Sequence, residues 1–258
     1  MQNRVMDAHR TGELLDGLNA RLSRESGQAF LSAFVSLVAD FFDADSVYLG
    51  RIDPGHRQMR TLHVASPGAV SGNFSYPVAG TPCARVMKSG ALVFEDRVAQ
   101  EFPDDYMLEE MGICGYAGTP LYHGAQSIGV IAVLFKRPIE NADSLLKVMH
   151  HYRRRLTAEI LAIETGERAS LAIRGMSDGI VDWCLETDQV YTSARCRELL
   201  GDKPRESTTP ADMLRALLHR EDRPRVESAL QAHFRAGRPF DMSVRFKVAD
   251  GAHRWFRL

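Results

Sequence analysis

Four cysteines, Cys83, Cys114, Cys184 and Cys196, have the most evident chemical reach in this sequence. Their spacing matches neither a Cys-x-x-Cys metal or redox pair nor a dense disulfide framework, so they read as reduced thiols of a cytosolic protein. Cys83 follows Thr81-Pro82, a helix start with Thr81 as N-cap and Pro82 at the first helical position. At the second position, unpaired N–H groups and the helix dipole favour a thiolate that could be redox-sensitive or ligate a metal. The competing reading is a small apolar plug beneath the helix start, because cysteine is among the most buried residue types. His150 and His151 invite comparison with a phospho-accepting histidine, but consecutive helix residues point about 100° apart and cannot jointly grip one metal. Arg153, Arg154 and Arg155 are offset on the same helix by Glu159, Glu164 and Glu167, which reads as a solvated face. His233 is a lone histidine without a haem signature.

Missing motifs exclude several activities. No two glycines are adjacent, so a Gly-Gly-Asp-Glu-Phe cyclase signature is impossible within these residues. No Glu-Ala-Leu or His-Asp phosphodiesterase signature, phosphate-binding GxxxxGK(S/T) loop, HExxH zinc helix or GxGxxG turn occurs either. No catalytic residue and no metal site is therefore assigned.

The elements that must hold these side chains follow from periodicity. The 258 residues, 45% apolar, exceed the ordinary length of one domain and point to two. A net charge of -1 supplies no field for a phosphate backbone, so nucleic acid is not an expected partner. Residues 1–10 are charged and lack an apolar signal-peptide core. Residues 111–135 are long enough to span a bilayer, but Pro120, His123, Gly124 and Gln126 interrupt them, so no membrane span is expected. Helical spacing marks residues 13–22, through Leu14, Leu15, Leu18 and Leu22, and a second helix through Phe30, Phe34, Leu37, Val38 and Phe41. Strands are expected at 47–52 and 59–64, a loop at 66–75, a helix at 81–89 and a strand at 91–95. A short helix over 103–111 and a hairpin of 113–122 with 127–137 follow. From Asn141 or Asp143 a long helix carries Leu145, Met149, Tyr152, Leu156 and Ile163 at alternating steps of four and three, broken by Glu159. Beyond it come strands at 179–185 and 189–192 around the turn Glu186-Thr187-Asp188. A helix at 194–200 stops at Gly201, helices at 210–218 and 222–235 follow, and the strands 240–248 and 253–258 flank an Asp-Gly turn.

Residues from about 25 to 162 resemble a GAF domain. The matching stretches are Tyr76-Pro77-Val78-Ala79-Gly80-Thr81-Pro82-Cys83, Phe102-Pro103, Tyr116-Ala117-Gly118-Thr119-Pro120-Leu121 and the closing hairpin at Ile128-Gly129-Val130-Ile131-Ala132-Val133. Residues from about 169 to 258 resemble a PAS domain through Asp178-Gly179-Ile180-Val181-Asp182-Trp183, Leu199-Leu200-Gly201, His219-Arg220-Glu221-Asp222 and Ala249-Asp250-Gly251-Ala252-His253-Arg254-Trp255. The resemblance implies an α+β architecture: an N-terminal helix over 1–24, a GAF domain over 25–162, a connecting signalling helix over 141–176 that overlaps it, and an incomplete PAS domain over 177–258. Of the five PAS strands, three and part of a fourth are present, which implies a truncated chain.

By the same resemblance, Tyr76, Cys83, Phe94, Phe102, Tyr106, Cys114 and Tyr116 line the GAF pocket, and Trp183 and Tyr191 wall the PAS cavity. Ordinary aromatic core packing is the alternative for both sets. The implied protein is a cytosolic, non-catalytic sensor that takes an unidentified small ligand or senses redox state. It pairs as a homodimer through Leu145, Met149, Tyr152, Leu156 and Ile163, assisted by Leu14, Leu18 and Leu22. An output domain absent from these residues would be a cyclic-di-GMP cyclase or phosphodiesterase, or next a histidine kinase. Neither family's ligand signatures occur, so no cofactor is named. Two other classes stay open: a GAF-fold methionine sulfoxide reductase using Cys83 and Cys114, and a dimerisation scaffold that binds nothing.

Overall fold

The structure, a computed structural model, describes residues 2–66, 72–187, 189–200 and 215–258, with side chains described from residue 11 onward. The chain divides into a unit over Met1–Thr165 and a second over Gly166–Leu258. The expected helix stop at Gly201, most of the helix expected over 210–218, Asp188 of the turn and residues 67–71 of the loop lie outside the described residues.

In the first unit, α1 (Gln2–Leu22) and α2 (Gly27–Phe42) precede β1 (Ser46–Ile52), β2 (Gln58–Ala65) and β3 (Ser75–Pro77). Next come α3 (Pro82–Ser89), β4 (Leu92–Phe94), α4 (Val98–Glu101), α5 (Tyr106–Glu110), β5 (Gly115–His123), β6 (Gln126–Phe135) and α6 (Ala142–Gly175). The strands form one six-stranded sheet in the order β3-β2-β1-β6-β5-β4. Strand β3 was not legible because its three residues are too short for a period to show; the helix expected over 103–111 is α5, starting three residues later, and α4 before it was not expected.

Both faces of the sheet are covered, so its central strands read as nearly continuous apolar runs. Alternation then sorts the side chains. Val47 and Leu49 of β1 with Ile131 and Val133 of β6 enter a core shared with α1, α2 and α6, whereas Tyr48, Ile52, Val130, Ala132 and Leu134 enter a second core under α3, α4 and α5. This second core holds the site.

The helical layer corrects the expected dimer seam. Leu145, Met149, Tyr152 and Leu156 are buried in the chain's own core, and so are Leu18 and Leu22 of α1. The Tyr152 hydroxyl donates to Asn19 Oδ1 at 2.6 Å, and the Tyr152 and Phe34 rings lie 5.1 Å apart. The stripe is satisfied within one chain because α1 folds back along α6, a long-range pairing that local spacing cannot reveal. Ile163 is partly buried beside the same core. Glu159, read as a break in the seam, accepts the Gly27 N–H at 2.8 Å and so caps the start of α2. Arg155 is not simply solvated: its guanidinium lies 3.9 Å from the Phe30 ring centroid and donates to the Leu22 and Glu25 carbonyls. Farther along, Arg51 of β1 grips Glu164 through Nε at 2.6 Å and Nη2 at 3.1 Å, which ties α6 to the sheet near the end of the first unit.

The second unit contains β7 (Val181–Cys184), β8 (Gln189–Thr192), α7 (Ala194–Leu200), α8 (Arg223–Ala236), β9 (Ser243–Lys247) and β10 (His253–Arg257). Strands β7 and β8 form one two-stranded sheet and β9 and β10 another, over a small core of Leu218, Val226, Val244 and Phe246.

Candidate functional site

Tyr48 leaves the middle of β1 on the face opposite Val47 and Leu49. Tyr76 comes from β3, which pairs Met59 with Tyr76 at the sheet edge, and Tyr116 from the start of β5. Their rings converge on the start of α3, where Thr81 accepts the Ala84 N–H at 3.3 Å and sets Cys83 at the second helical position. Gly118 makes room for this. A Cβ there would lie 2.8 Å from Tyr116 Cε1 and 2.8 Å from Val86 Cγ2, so only glycine lets the Tyr116 ring lie back over its own strand.

The four polar groups form a closed set. Tyr76 donates to Cys83 Sγ at 3.3 Å, the Tyr48 and Tyr76 hydroxyls are 2.9 Å apart, and Sγ lies 3.2 Å from the Tyr48 and 3.1 Å from the Tyr116 oxygen. If Tyr48 donates to Tyr76, Tyr116 to Sγ and the thiol to Tyr48, each hydrogen has an acceptor and every group stays neutral. Burial pushes all three tyrosines well above the usual phenol range, which keeps them as hydroxyl donors. Burial also pushes the Cys83 thiol up, against the opposing pull of hydrogen bonds from Tyr116, Tyr48 and Tyr76. Desolvation outweighs the helix start, and Cys83 is held as a thiol rather than the thiolate its sequence position suggested.

Beside this set a cleft is lined by Ser46, Tyr48, Phe74, Tyr76, Asp105 and Met111 among others. Burial raises the Asp105 carboxyl above the ordinary range, and its charge acts on Tyr48, Cys83 and Tyr116.

Of the residues expected to line the pocket, Tyr76 alone is among those that line this cleft; the fold brings Cys83 and Tyr116 together with it in the buried set beside the cleft. Phe94 and Phe102 pack edge to face at 5.1 Å on the far side of Tyr116, beneath the Arg85 guanidinium, which is 4.7 Å from the Phe102 centroid. Tyr106 is a correction: it is 66% exposed, because α5 turns its first residue outward while Leu108 faces in. Cys114 is only half-buried, held by its backbone to Val98 and Phe135, and belongs to neither core. Tyr48, Phe74 and Asp105 were missed. The alternation of β1 could have flagged Tyr48, whereas Phe74 and Asp105 sit in loops without any period.

In the second unit, Trp183 and Tyr191 do not form one wall. Tyr191 pairs with Asp182 and Trp183 with Val190, so the two rings occupy opposite faces of the hairpin. Trp183 meets Phe234 of α8 at 6.3 Å, while Tyr191 is 56% exposed.

A GAF domain model matches residues 25–149 and a PAS fold model residues 189–258. Among solved structures, the chain is similar to the chromophore-binding domain of an unusual bacteriophytochrome from R. palustris, at 12% identity over 62% of this chain and 63% of that one, with a TM-score of 0.51. It is similar also to the chromophore-binding domain of the Stigmatella aurantiaca bacteriophytochrome (11% identity, 59% and 60% covered, TM-score 0.50). A third is the GAF domain of a phosphoenolpyruvate-protein phosphotransferase from Coxiella burnetii (16% identity, 62% and 98% covered, TM-score 0.51). The chain thus spans about 60% of the phytochrome structures it matches, and at these identities the likeness is one of fold. No curated protein sequence matches the chain. Among the described residues, no helix is long and apolar enough to cross a membrane.

Proposed function

We propose that this chain, a GAF domain over residues 25–149 followed by a PAS fold over residues 189–258, is a cytosolic relay that senses a small molecule in its GAF cleft. GAF and PAS domains are sensory rather than catalytic, which supports a regulatory role for these residues. In this reading residues 1–24 are a supporting helix, 25–162 the GAF domain, 141–176 the connecting helix and 177–258 the PAS domain.

The observation that carries the reading is the continuity of α6. One 34-residue helix begins in the GAF core, is clamped to β1 by Arg51, and runs on into the second unit. A change in the cleft that shifts β1 therefore has a rigid element through which to travel. The output, joined to this chain, would be a cyclic-di-GMP cyclase or phosphodiesterase, or next a histidine kinase.

A homodimer through α6 remains part of the reading, but with different residues. Leu145, Met149, Tyr152 and Leu156 are occupied, so the pairing surface is the exposed last part of the helix, where Leu171 is 67% exposed. The reductase alternative gains nothing, since that chemistry needs a reactive thiolate and Cys83 is held as a buried thiol.

Native mass spectrometry and an absorption spectrum of the purified chain would identify a retained ligand. Hydrogen exchange over residues 160–175, with the ligand present and removed, would then test the relay. Protection is expected to change there; a change confined to the cleft would end the relay reading. Light scattering should show a dimer that Leu171→Glu dissociates, and a wild-type monomer at high micromolar concentration would remove the dimer.

A further inference from the structure

The cleft beside Cys83 has a composition that selects among ligand classes. Its lining acid is Asp105, half-buried, whose carboxyl burial draws toward the neutral form against backbone N–H bonds from Met107 and Leu108. Among the described residues no lysine or arginine pairs with it or acts on its carboxyl. A carboxylate in such a place is stabilised by an arriving cation, and an anionic ligand would meet repulsion with no basic side chain to offset it.

The walls point the same way. The Tyr48, Phe74 and Tyr76 rings are mutual neighbours: Tyr48 and Phe74 lie 6.1 Å apart at 66°, Tyr48 and Tyr76 6.3 Å apart at 83°, and Phe74 and Tyr76 5.9 Å apart at 36°. Three inclined rings and one carboxylate lining the same cleft form a site that accepts positive charge more readily than negative. Ser46 adds a hydroxyl that accepts from Ser66 at 3.0 Å and keeps a further lone pair. The cleft is open on one side and small, with room for a polar head group of a few heavy atoms.

We propose that this cleft binds the head of a small primary ammonium ion, with the Asp105 carboxylate as counter-ion and Tyr48, Phe74 and Tyr76 as its aromatic walls. The inference rests on the reading of the GAF cleft as the sensing site and specifies its ligand class. A metal ion is a poorer fit, because one carboxylate among aromatic and thioether side chains is too few hard oxygen ligands.

The test is calorimetric titration of the 258-residue chain with n-butylammonium chloride, its neutral isostere butan-1-ol, and butyltrimethylammonium chloride. Saturable binding of butylammonium is expected, with butan-1-ol and butyltrimethylammonium each at least about tenfold weaker. Asp105→Asn should weaken butylammonium by at least about tenfold, and Phe74→Leu, at the half-buried rim, by about threefold, in chains that still melt cooperatively. Equal affinity for alcohol and ammonium, an undiminished Asp105→Asn, tighter binding of the trimethyl ion, or no saturation would each overturn the proposal. Should Asp105→Asn fail to fold, the isostere comparison on the unaltered chain decides alone. If no ammonium binds while another molecule is found retained on the GAF unit, the cation class falls and the sensor reading stands. If butylammonium binds but exchange over 160–175 does not move, the site stands and the relay falls.

Discussion

Cys83 illustrates how environment overrides local position. The helix start that would favour a thiolate is outweighed by burial, and three tyrosine hydroxyls convert the thiol into the hub of a neutral network. Removing one spoke should cost little: Tyr116→Phe is expected to lower stability by about 1 kcal/mol, since the phenol's one bonded partner in this set is Cys83. Gly118→Ala should cost more, about 1–3 kcal/mol, because its methyl would displace the whole Tyr116 ring and press on Val86. Urea denaturation of both variants checks the order; if Tyr116→Phe proved the more damaging, the network rather than the packing would govern this core. In the second unit Arg245 donates from Nε and Nη2 to the two carboxylate oxygens of Asp222 at 3.0 Å each, and its backbone N–H reaches Oδ2 at 2.9 Å. These bonds hold the Asp222 carboxyl at about 2. Because that lies below the unfolded value of about 4, the carboxylate's stabilisation is present above pH ~4 and is lost as pH falls from there toward 2. Asp222→Asn should therefore destabilise the second unit at neutral pH and flatten the acid limb of its stability curve. An unchanged acid limb, followed by circular dichroism, would dismiss this pair as the source.

Helix α6 combines two roles along its length. Its first turns are core: Leu145, Met149 and Leu156 are fully buried, and Tyr152 nearly so, against α1 and α2. Leu156→Ala should accordingly cost about 2–5 kcal/mol of first-unit stability. From residue 165 the helix is largely exposed. Gly166, where the second unit begins, has nothing within 4 Å of a would-be Cβ, so Gly166→Pro meets no obstacle except the helix it breaks. That variant should leave the GAF unit's melting midpoint in place and abolish any ligand-dependent exchange over 165–175. A large loss of GAF stability in Gly166→Pro, matching that in Leu156→Ala, would show that the two stretches are not separable.

The two units differ in how their strands are secured. Among the described residues, the first has six strands in one sheet with both faces covered, whereas the second has two separate two-stranded sheets with Val181, Tyr191, Trp255 and Leu258 substantially exposed. Isolated hairpins are marginal in water, and their unpaired edges exchange readily. Hydrogen exchange should find 181–192 and 253–257 far less protected than β1, β5 and β6, and denaturation should proceed in two transitions. Equal protection in a monomer, with one cooperative transition, would show that the second unit is as secure as the first.

The run of amino acids was enough to mark most of the strands, because alternation and glycine and proline signals are local properties, and the resemblance to two families, rather than any period, pointed to the GAF and PAS domains and to Tyr76, Cys83 and Tyr116 as pocket residues. It also marked the apolar stripe of α6, but not what covers that stripe. Leu18, Leu22 and Phe34 lie more than a hundred positions away, and the choice between a second chain and α1 is made by long-range packing. For the same reason Glu159 and Arg155 looked like a flaw and a solvated charge until α2 and the α1 terminus were placed against them. Tyr106, Phe74 and Asp105 sit in short helices and loops where no period tells inside from outside. Whether Tyr106 or Asp105 faces the cleft depends on how α5 settles against β1 and β3, a decision that belongs to the folded core and not to any local stretch of sequence.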